Sequence, residues 1–451
     1  MCRSISSSTM GEVVDADGRE EVVSPGFGAA PADTASRAEI SARRRGMMAL
    51  FTTATLMNAA MAAVAPTSTI WAEPYVGVMW SAFPQTLTIL GTGLGALLLV
   101  RATSWLGWRA SLMVAFAVGT LGGLICFTAT LIESIPLLDG GMFVLGLGVG
   151  GSIVSRYAAA ELYPAHRSGY ALGLVVAAGA VGSVGGPLLL YPMSSLMGSF
   201  GLPELSGPFL LAAVVSAVAG LGGITLPRHK APRPEGSQLA VLGSVFRSGS
   251  ARMLLLVMIV SQLIMVAIMT AAPMDIILKD GTLVVVGAAL AAHAGGMFIF
   301  APLTGWMIDR IGARKVMFAG LAVLVLAAAI GAGSTMSHTV VGSISLFLLG
   351  YGWNLGFMAG SRTLATTLSS NGQGQVVGAV DAVVWCVSAT GTIGGTALLG
   401  AGGYSIMSEI MGILPIVTFL LLLRSRPVAA VSPAAAPAAA AGAPERTDEA
   451  A

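Results

Sequence analysis

Apolar runs of roughly 20 to 25 residues recur along most of the chain, separated by short polar breaks. They fall near 47–70, 76–100, 108–131, 139–160, 168–191, 205–226, 252–276, 282–306, 314–334, 340–364, 375–400 and 404–424. At about 1.5 Å of rise per residue, each is long enough to cross about 30 Å of hydrocarbon, so each predicts a membrane-spanning helix. The weakest is 375–400, which carries Asp381 and many glycines. Residues 1–46 are polar, of mixed charge and without apolar period, and predict a disordered tail. Pro227, Arg228, His229, Lys230, Pro232, Arg233 and Pro234 mark 227–251 as a basic, proline-rich linker. Residues 427–451 are Ala/Pro-rich and end acidic, a second disordered tail. The expected organisation is a tail (1–46), a six-helix bundle (47–226), the linker, a second six-helix bundle (252–426) and a tail. No apolar segment with a cleavage site lies near Met1, so no removed signal peptide is expected.

Composition points the same way. Of 451 residues, 55% are hydrophobic and 10% charged, where a water-soluble surface needs about a quarter charged residues. Lipid must therefore solvate most of the outside. The net charge of +2 argues against a nucleic-acid partner. Cys2, Cys126 and Cys386 lie too far apart in sequence to suggest a CxxC motif or a disulfide framework. No Walker loop or hydrolase motif occurs, so no enzymatic activity is expected.

The basic residues set the orientation. Arg43, Arg44, Arg45, Arg101, Arg109, Arg156, Arg167, the linker, Arg310, Arg314, Lys315, Arg362, Arg424 and Arg426 fall on one side. The opposite loops hold Lys279 beside Glu73, Glu133, Asp139, Glu204, Asp275, Asp280 and Glu409. Both termini are then cytoplasmic, which requires an even number of crossings.

The two halves repeat at an offset of about 205 residues. Leu106-Gly107-Trp108-Arg109 matches Ile311-Gly312-Ala313-Arg314. Phe143-x-Leu145-Gly146-x-Gly148 matches Phe347-x-Leu349-Gly350-x-Gly352. Parallel half-repeats around a midplane site are an architecture of alternating-access carriers. The stretch Gly305-Trp306-Met307-Ile308-Asp309-Arg310-Ile311-Gly312-Ala313-Arg314-Lys315 resembles the cytoplasmic signature loop of the major facilitator superfamily. That resemblance implies an all-α fold of twelve transmembrane helices in two pseudo-symmetric six-helix bundles. It also implies a gating role for Asp309, Arg310 and Arg314. The first-half copy is degenerate, with Ser104 in place of the acid and Val100 in place of the glycine. In the fifth span, Gly182-x-x-x-Gly186-Pro187 is similar to the first part of a drug-antiporter motif. Close helix packing with a proline kink is the simpler reading of it. Met142 stands where many family members keep an arginine, which weighs against proton antiport.

Candidate chemistry concentrates in the seventh and eighth spans. Met265-x-x-x-Met269 and His293-x-x-x-Met297 each place two donors one turn apart on one helix face. Met265 and His293 are each about eleven residues from the loop that joins the two spans, near the middle of the bilayer. Thioether sulfur and imidazole nitrogen suit Cu(I) and suit magnesium, calcium or manganese poorly. Neutral donors also avoid an uncompensated carboxylate at that depth. Other MxxxM pairs are Met57/Met61, a weaker candidate in the counterpart span of the first half, Met193/Met197 and Met407/Met411. Each such pair also reads simply as apolar packing. His166, His229 and His338 fall in loops, and His293 alone lies in mid-membrane, where an ionisable residue is a functional candidate. Asn58, Gln262 and Asn354 are further cavity candidates, and Asp381 with Arg362 is a candidate ion pair.

The paired motifs, with His293 following Met269 by 24 residues, resemble those of the CcoA-like transporters. That resemblance implies a carrier importing copper, as Cu(I), across the inner membrane for cbb3-type cytochrome oxidase assembly. It implies copper as transported substrate rather than cofactor, held by Met265, Met269, His293 and Met297, with a cytoplasmic copper chaperone or exporter downstream. The expected protein is a monomer in the lipid bilayer. Sibling members carry riboflavin, so a riboflavin-type importer and a drug or metabolite efflux antiporter stand as alternatives.

Overall fold

The structure, a computed structural model, describes residues 37–161, 168–226, 243, 246–333, 339–368 and 373–425. Most of both expected tails and of the linker, with His166, His229 and His338, lie outside them. The chain divides into a short unit, Met1–Ala42, and a large one, Arg43–Ala451.

Among the described residues twelve helices follow one another, two of them in two segments, and no strand occurs. They are α1 (Arg37–Trp80), α2 (83–106), α3 (108–131), α4 (Ile135–Glu161) and α5 (Ser168–Gly185, resumed over Leu190–Ser199). Next come α6 (Gly207–Gly222), α7 (Gly249–Leu278), α8 (Leu283–Phe298, resumed over Ala301–Ile311) and α9 (Ala313–Gly333). The last are α10 (Thr339–Leu368), α11 (373–402) and α12 (404–424). Among the described residues, nine helices are long and apolar enough to cross a membrane, and two apolar helices are shorter. One of the nine, Val383–Arg424, is itself divided at Gly403. These account for the expected spans.

The first helix begins at Arg37 rather than near 47, which shortens the expected tail. Polarity keeps 37–46 out of lipid but does not oppose helix, and Ala, Glu and Arg are good helix formers. The other large differences are at prolines. Pro187 interrupts α5 with a short 3-10 turn, after which the helix continues to Ser199. Pro302 opens the second segment of α8.

Matched glycines do matched work in the two halves. Gly107 and Gly312 both have positive φ, +80° and +88°, where they turn the chain between α2 and α3 and between α8 and α9. A side chain is strained in that region and glycine is not. Gly146 brings α4 against the Thr88 carbonyl of α2, and Gly350 brings α10 against the His293 carbonyl of α8. Gly91 meets Phe143, and Gly296 meets Phe347, in the same manner. Gly182 and Gly186 lay α5 on the backbone of α1, as Gly391 and Gly395 lay α11 on α7. The glycines of the fifth span are thus packing residues, the simpler of their two readings.

Burial follows the halves. One large apolar cluster draws its buried residues from Met47 to Leu226 and two from Ala251 to Leu422. A fourth, small cluster takes buried members from both.

Candidate functional site

The loop that joins α7 to α8 sets the site. Gly281 N–H donates to the Ile276 carbonyl (2.8 Å), closing the end of α7. Thr282 caps α8 by accepting from Val285 N (3.4 Å), and Ser248 caps α7 by accepting from Ala251 N (3.3 Å). Unpaired N–H groups at helix starts are what such caps satisfy. Asp275 is buried and pairs with Lys279 at 2.8 Å. With α7 ending at Leu278 and α8 starting at Leu283, rise alone sets Met269 level with His293 and Met265 level with Met297. The expected pairing of Met265 with His293 is therefore shifted by one turn, because α7 runs two residues past its expected end at 276 and α8 starts one residue after 282.

Met265, Val266 and Met269 share one face of α7 and pack with Met297 of α8. Around them are Trp353 of α10, Ile89 of α2 and Ala389 of α11. Three of the four predicted donors therefore enter one cluster between the halves. His293 stands a turn before Met297, 2% exposed, and is engaged with α10: its Nδ1 lies 2.9 Å from the Leu346 carbonyl. A carbonyl only accepts, so Nδ1 carries the hydrogen, and in the neutral ring Nε2 holds the free lone pair. That Nε2 is buried and has no partner among the described residues. Among the described residues no three His, Cys, Asp or Glu side chains gather to hold a metal. Any metal at this place depends on thioethers.

Polar groups frame the cluster. Trp353 Nε1 donates to Gln262 Oε1 (2.6 Å) and its ring stacks on Phe357 at 5.0 Å. Asn354 Nδ2 donates to the Met297 carbonyl (2.7 Å), and Thr304 donates to Asn354 Oδ1. Asn354 thereby bridges the break in α8, while Asn58 bonds to the Ala54 carbonyl of its own helix (2.8 Å). Gln85, a turn from Ile89 on α2, keeps its Oε1 buried and without a partner among the described residues. The halves also touch where Thr86 bonds to Thr392 and where Thr396 donates to the Met79 carbonyl (3.1 Å). Gly287 of α8 meets the Pro187 carbonyl.

The remaining predicted residues lie elsewhere. Met57 is buried in the first-half core, where Ser216 Oγ lies 3.5 Å from its sulfur, and Met61 packs against that core. Met407 and Met411 are core residues of the second half. Met197 is buried and Met193 half-buried in the resumed part of α5. Cys126 is buried and Cys386 exposed. Asp309 pairs with Arg362 at 2.6 Å, both well exposed, and the side chain of Asp381 lies outside the described residues. Arg310 sits 5.8 Å over the Trp306 ring. Arg314 donates to the Leu422 and Ser425 carbonyls at 2.6 and 2.8 Å, tying α9 to the end of α12. Sequence reasoning missed Trp353 as the partner of Gln262, and missed Ile89 and Ala389. Only the depth of Gln262 hinted at the first.

Apolar helices in matched halves, with a cluster where the halves meet, define a multi-pass membrane protein. The fold is that of the major facilitator superfamily. The Major Facilitator Superfamily family model matches residues 254–447. The chain is 27% identical over 382 residues to the uncharacterized MFS-type transporter YdeG of Bacillus subtilis (strain 168), covering 82% of this chain and 89% of the relative. It is 25% identical over 362 residues to the riboflavin transporter RfnT of Brucella anthropi, covering 78% and 88%. Among solved structures, the inward-open xylose transporter XylE from E. coli superposes with a TM-score of 0.64 at 14% identity, covering 86% of this chain and 96% of that one. A point mutant of the nucleoside transporter NupG gives 0.62 at 14% identity, covering 84% and 99%. These structures share the fold alone.

Proposed function

We propose that the protein carries copper, as Cu(I), across the inner membrane into the cell, with both termini cytoplasmic. The observation that supports this most is the meeting of buried Met265 with half-buried Met269 and Met297 in one cluster, a turn from a histidine whose Nε2 has no partner among the described residues. Soft, neutral donors favour a soft monovalent ion over hard divalent ones. The Leu346 carbonyl holding Nδ1–H is the kind of support that orients a ligating imidazole. Thioether bonds are weak enough for release. On this reading Met269 and His293 form the outer contact, and Met265 and Met297, a turn further in, lie on the release side. Delivery toward oxidase assembly is what the CcoA-like resemblance implies for the cargo afterwards.

A second reading has its own support. The stacked Trp353/Phe357 pair and the amide of Gln262 suit a flat organic solute, and one relative is a riboflavin transporter. Uptake of radioactive copper and of labelled riboflavin, measured side by side in cells with the wild type, Met265→Ala or His293→Ala, separates the two. Copper uptake that drops about tenfold in both variants is the expected result. Copper uptake indifferent to both substitutions, with riboflavin uptake lost, assigns the carrier to the organic solute.

A further inference from the structure

Gln262 is 2% exposed and shares the face of α7 that carries Met265, Val266 and Met269. Its amide has a fixed sense. An indole N–H only donates, so the group facing Trp353 Nε1 must be the oxygen Oε1, and the NH2 must point elsewhere. That NH2 is buried and has no partner among the described residues. Buried donors left unpaired are few in native interiors because each forfeits its hydration without return. This one sits a turn from Met265, beside Trp353, which itself packs on the thioether cluster. A bare cation offers an amide NH2 nothing, since the group has hydrogens to give and no lone pair to receive.

Given the reading of the cluster as the cargo site, on which this rests, we propose that Gln262 donates to an oxygen of the cargo. The transported species then carries a carboxylate or carbonyl: copper passes as a complex with an oxygen-bearing ligand rather than as a stripped ion. Trp353 is the positioning partner that keeps the NH2 turned toward the cargo. Gln262 is thereby a specificity-determining residue that discriminates by hydrogen bonding, which a thioether cannot do.

The test uses the full-length protein in proteoliposomes, as wild type, Gln262→Glu and Gln262→Leu, each checked for unchanged elution and melting. Gln262→Glu keeps an oxygen for Trp353 at nearly the same volume, so it guards against a packing defect in Gln262→Leu. Three probes are supplied: Cu(I) in acetonitrile, whose ligand has no oxygen, Cu(I) bound to N-acetylcysteine, and riboflavin. The wild type is expected to take up the N-acetylcysteine complex about tenfold faster than the acetonitrile form, and both substitutions to abolish that preference. A preference that survives both substitutions overturns the proposal, as does a wild type that favours the oxygen-free form or carries none of the probes. A wild type that carries riboflavin alone removes the copper reading but not this one. Gln262 is then judged on riboflavin, where a tenfold loss in both variants supports it and an unchanged rate overturns it.

Discussion

Gly350→Ala tests the contact that holds α8 in place. A Cβ at this position would run into the His293 carbonyl oxygen and stand 3.0 Å from Met297 N and 3.1 Å from Met297 Cγ. Two of those three atoms are backbone and have no rotamer to escape into, so α10 must back away from α8. Inserting one carbon into a filled contact costs about 1–3 kcal/mol. For a chain this size that corresponds to a fall in melting temperature of roughly 1–3 °C. The shift also stretches the 2.9 Å bond from His293 to Leu346, which holds the imidazole in register. Gly146→Ala is the control that the internal repeat supplies. Its Cβ would meet the Thr88 carbonyl and stand 3.0 Å from Thr92 N, the same clash at the matched crossing of α4 and α2. Both variants are therefore expected to melt lower by similar amounts in a detergent thermal-shift assay. Only Gly350→Ala is expected to weaken Cu(I) binding, by about tenfold, in equilibrium dialysis. A Gly350→Ala protein that melts and binds like wild type refutes the reasoning, and so does equal loss of binding in Gly146→Ala.

Other outcomes follow from the same geometry. Met57→Leu, a volume-conserving change in the first-half core, is expected to cost less than about 1.5 kcal/mol and to leave copper uptake unchanged, whereas Met265→Leu abolishes uptake at similar stability. Asp309→Asn breaks an exposed ion pair with Arg362, so the melting temperature should move by no more than a surface pair is worth, about 0–1 kcal/mol, while turnover in a transport assay changes if the pair gates. Thr392→Val removes the bond to Thr86 that ties α11 to α2, and thiol labelling of a cysteine placed at Met79 is expected to speed up as that end opens more often.

The fold was legible because its main constraint is physical length: a run that must cross hydrocarbon cannot be short or charged. The repeat was legible because turns and crossings demand glycine at matched positions, as Gly107 with Gly312 and Gly146 with Gly350 illustrate. Helix ends were less so, since Arg37–Gly46 is polar yet helical and Pro187 interrupts a helix without ending it. The site was half legible. Spacing put Met265 with Met269 and His293 with Met297 on shared faces, but Met57 with Met61 has identical spacing and lies in a core. Which face a helix turns toward its partner depends on side chains far away in sequence. Ile89 and Ala389, and the pairing of Trp353 with Gln262, entered only with the structure for that reason.

The most direct test is X-ray absorption of the purified protein loaded with Cu(I), compared with Met265→Ala and His293→Ala. The expected spectrum has sulfur neighbours and one imidazole nitrogen, with sulfur reduced in the first variant and the imidazole signal lost in the second. A protein that retains no copper, or holds it through nitrogen and oxygen alone and identically in all three forms, contradicts the assignment of α7 and α8 as the cargo site for copper.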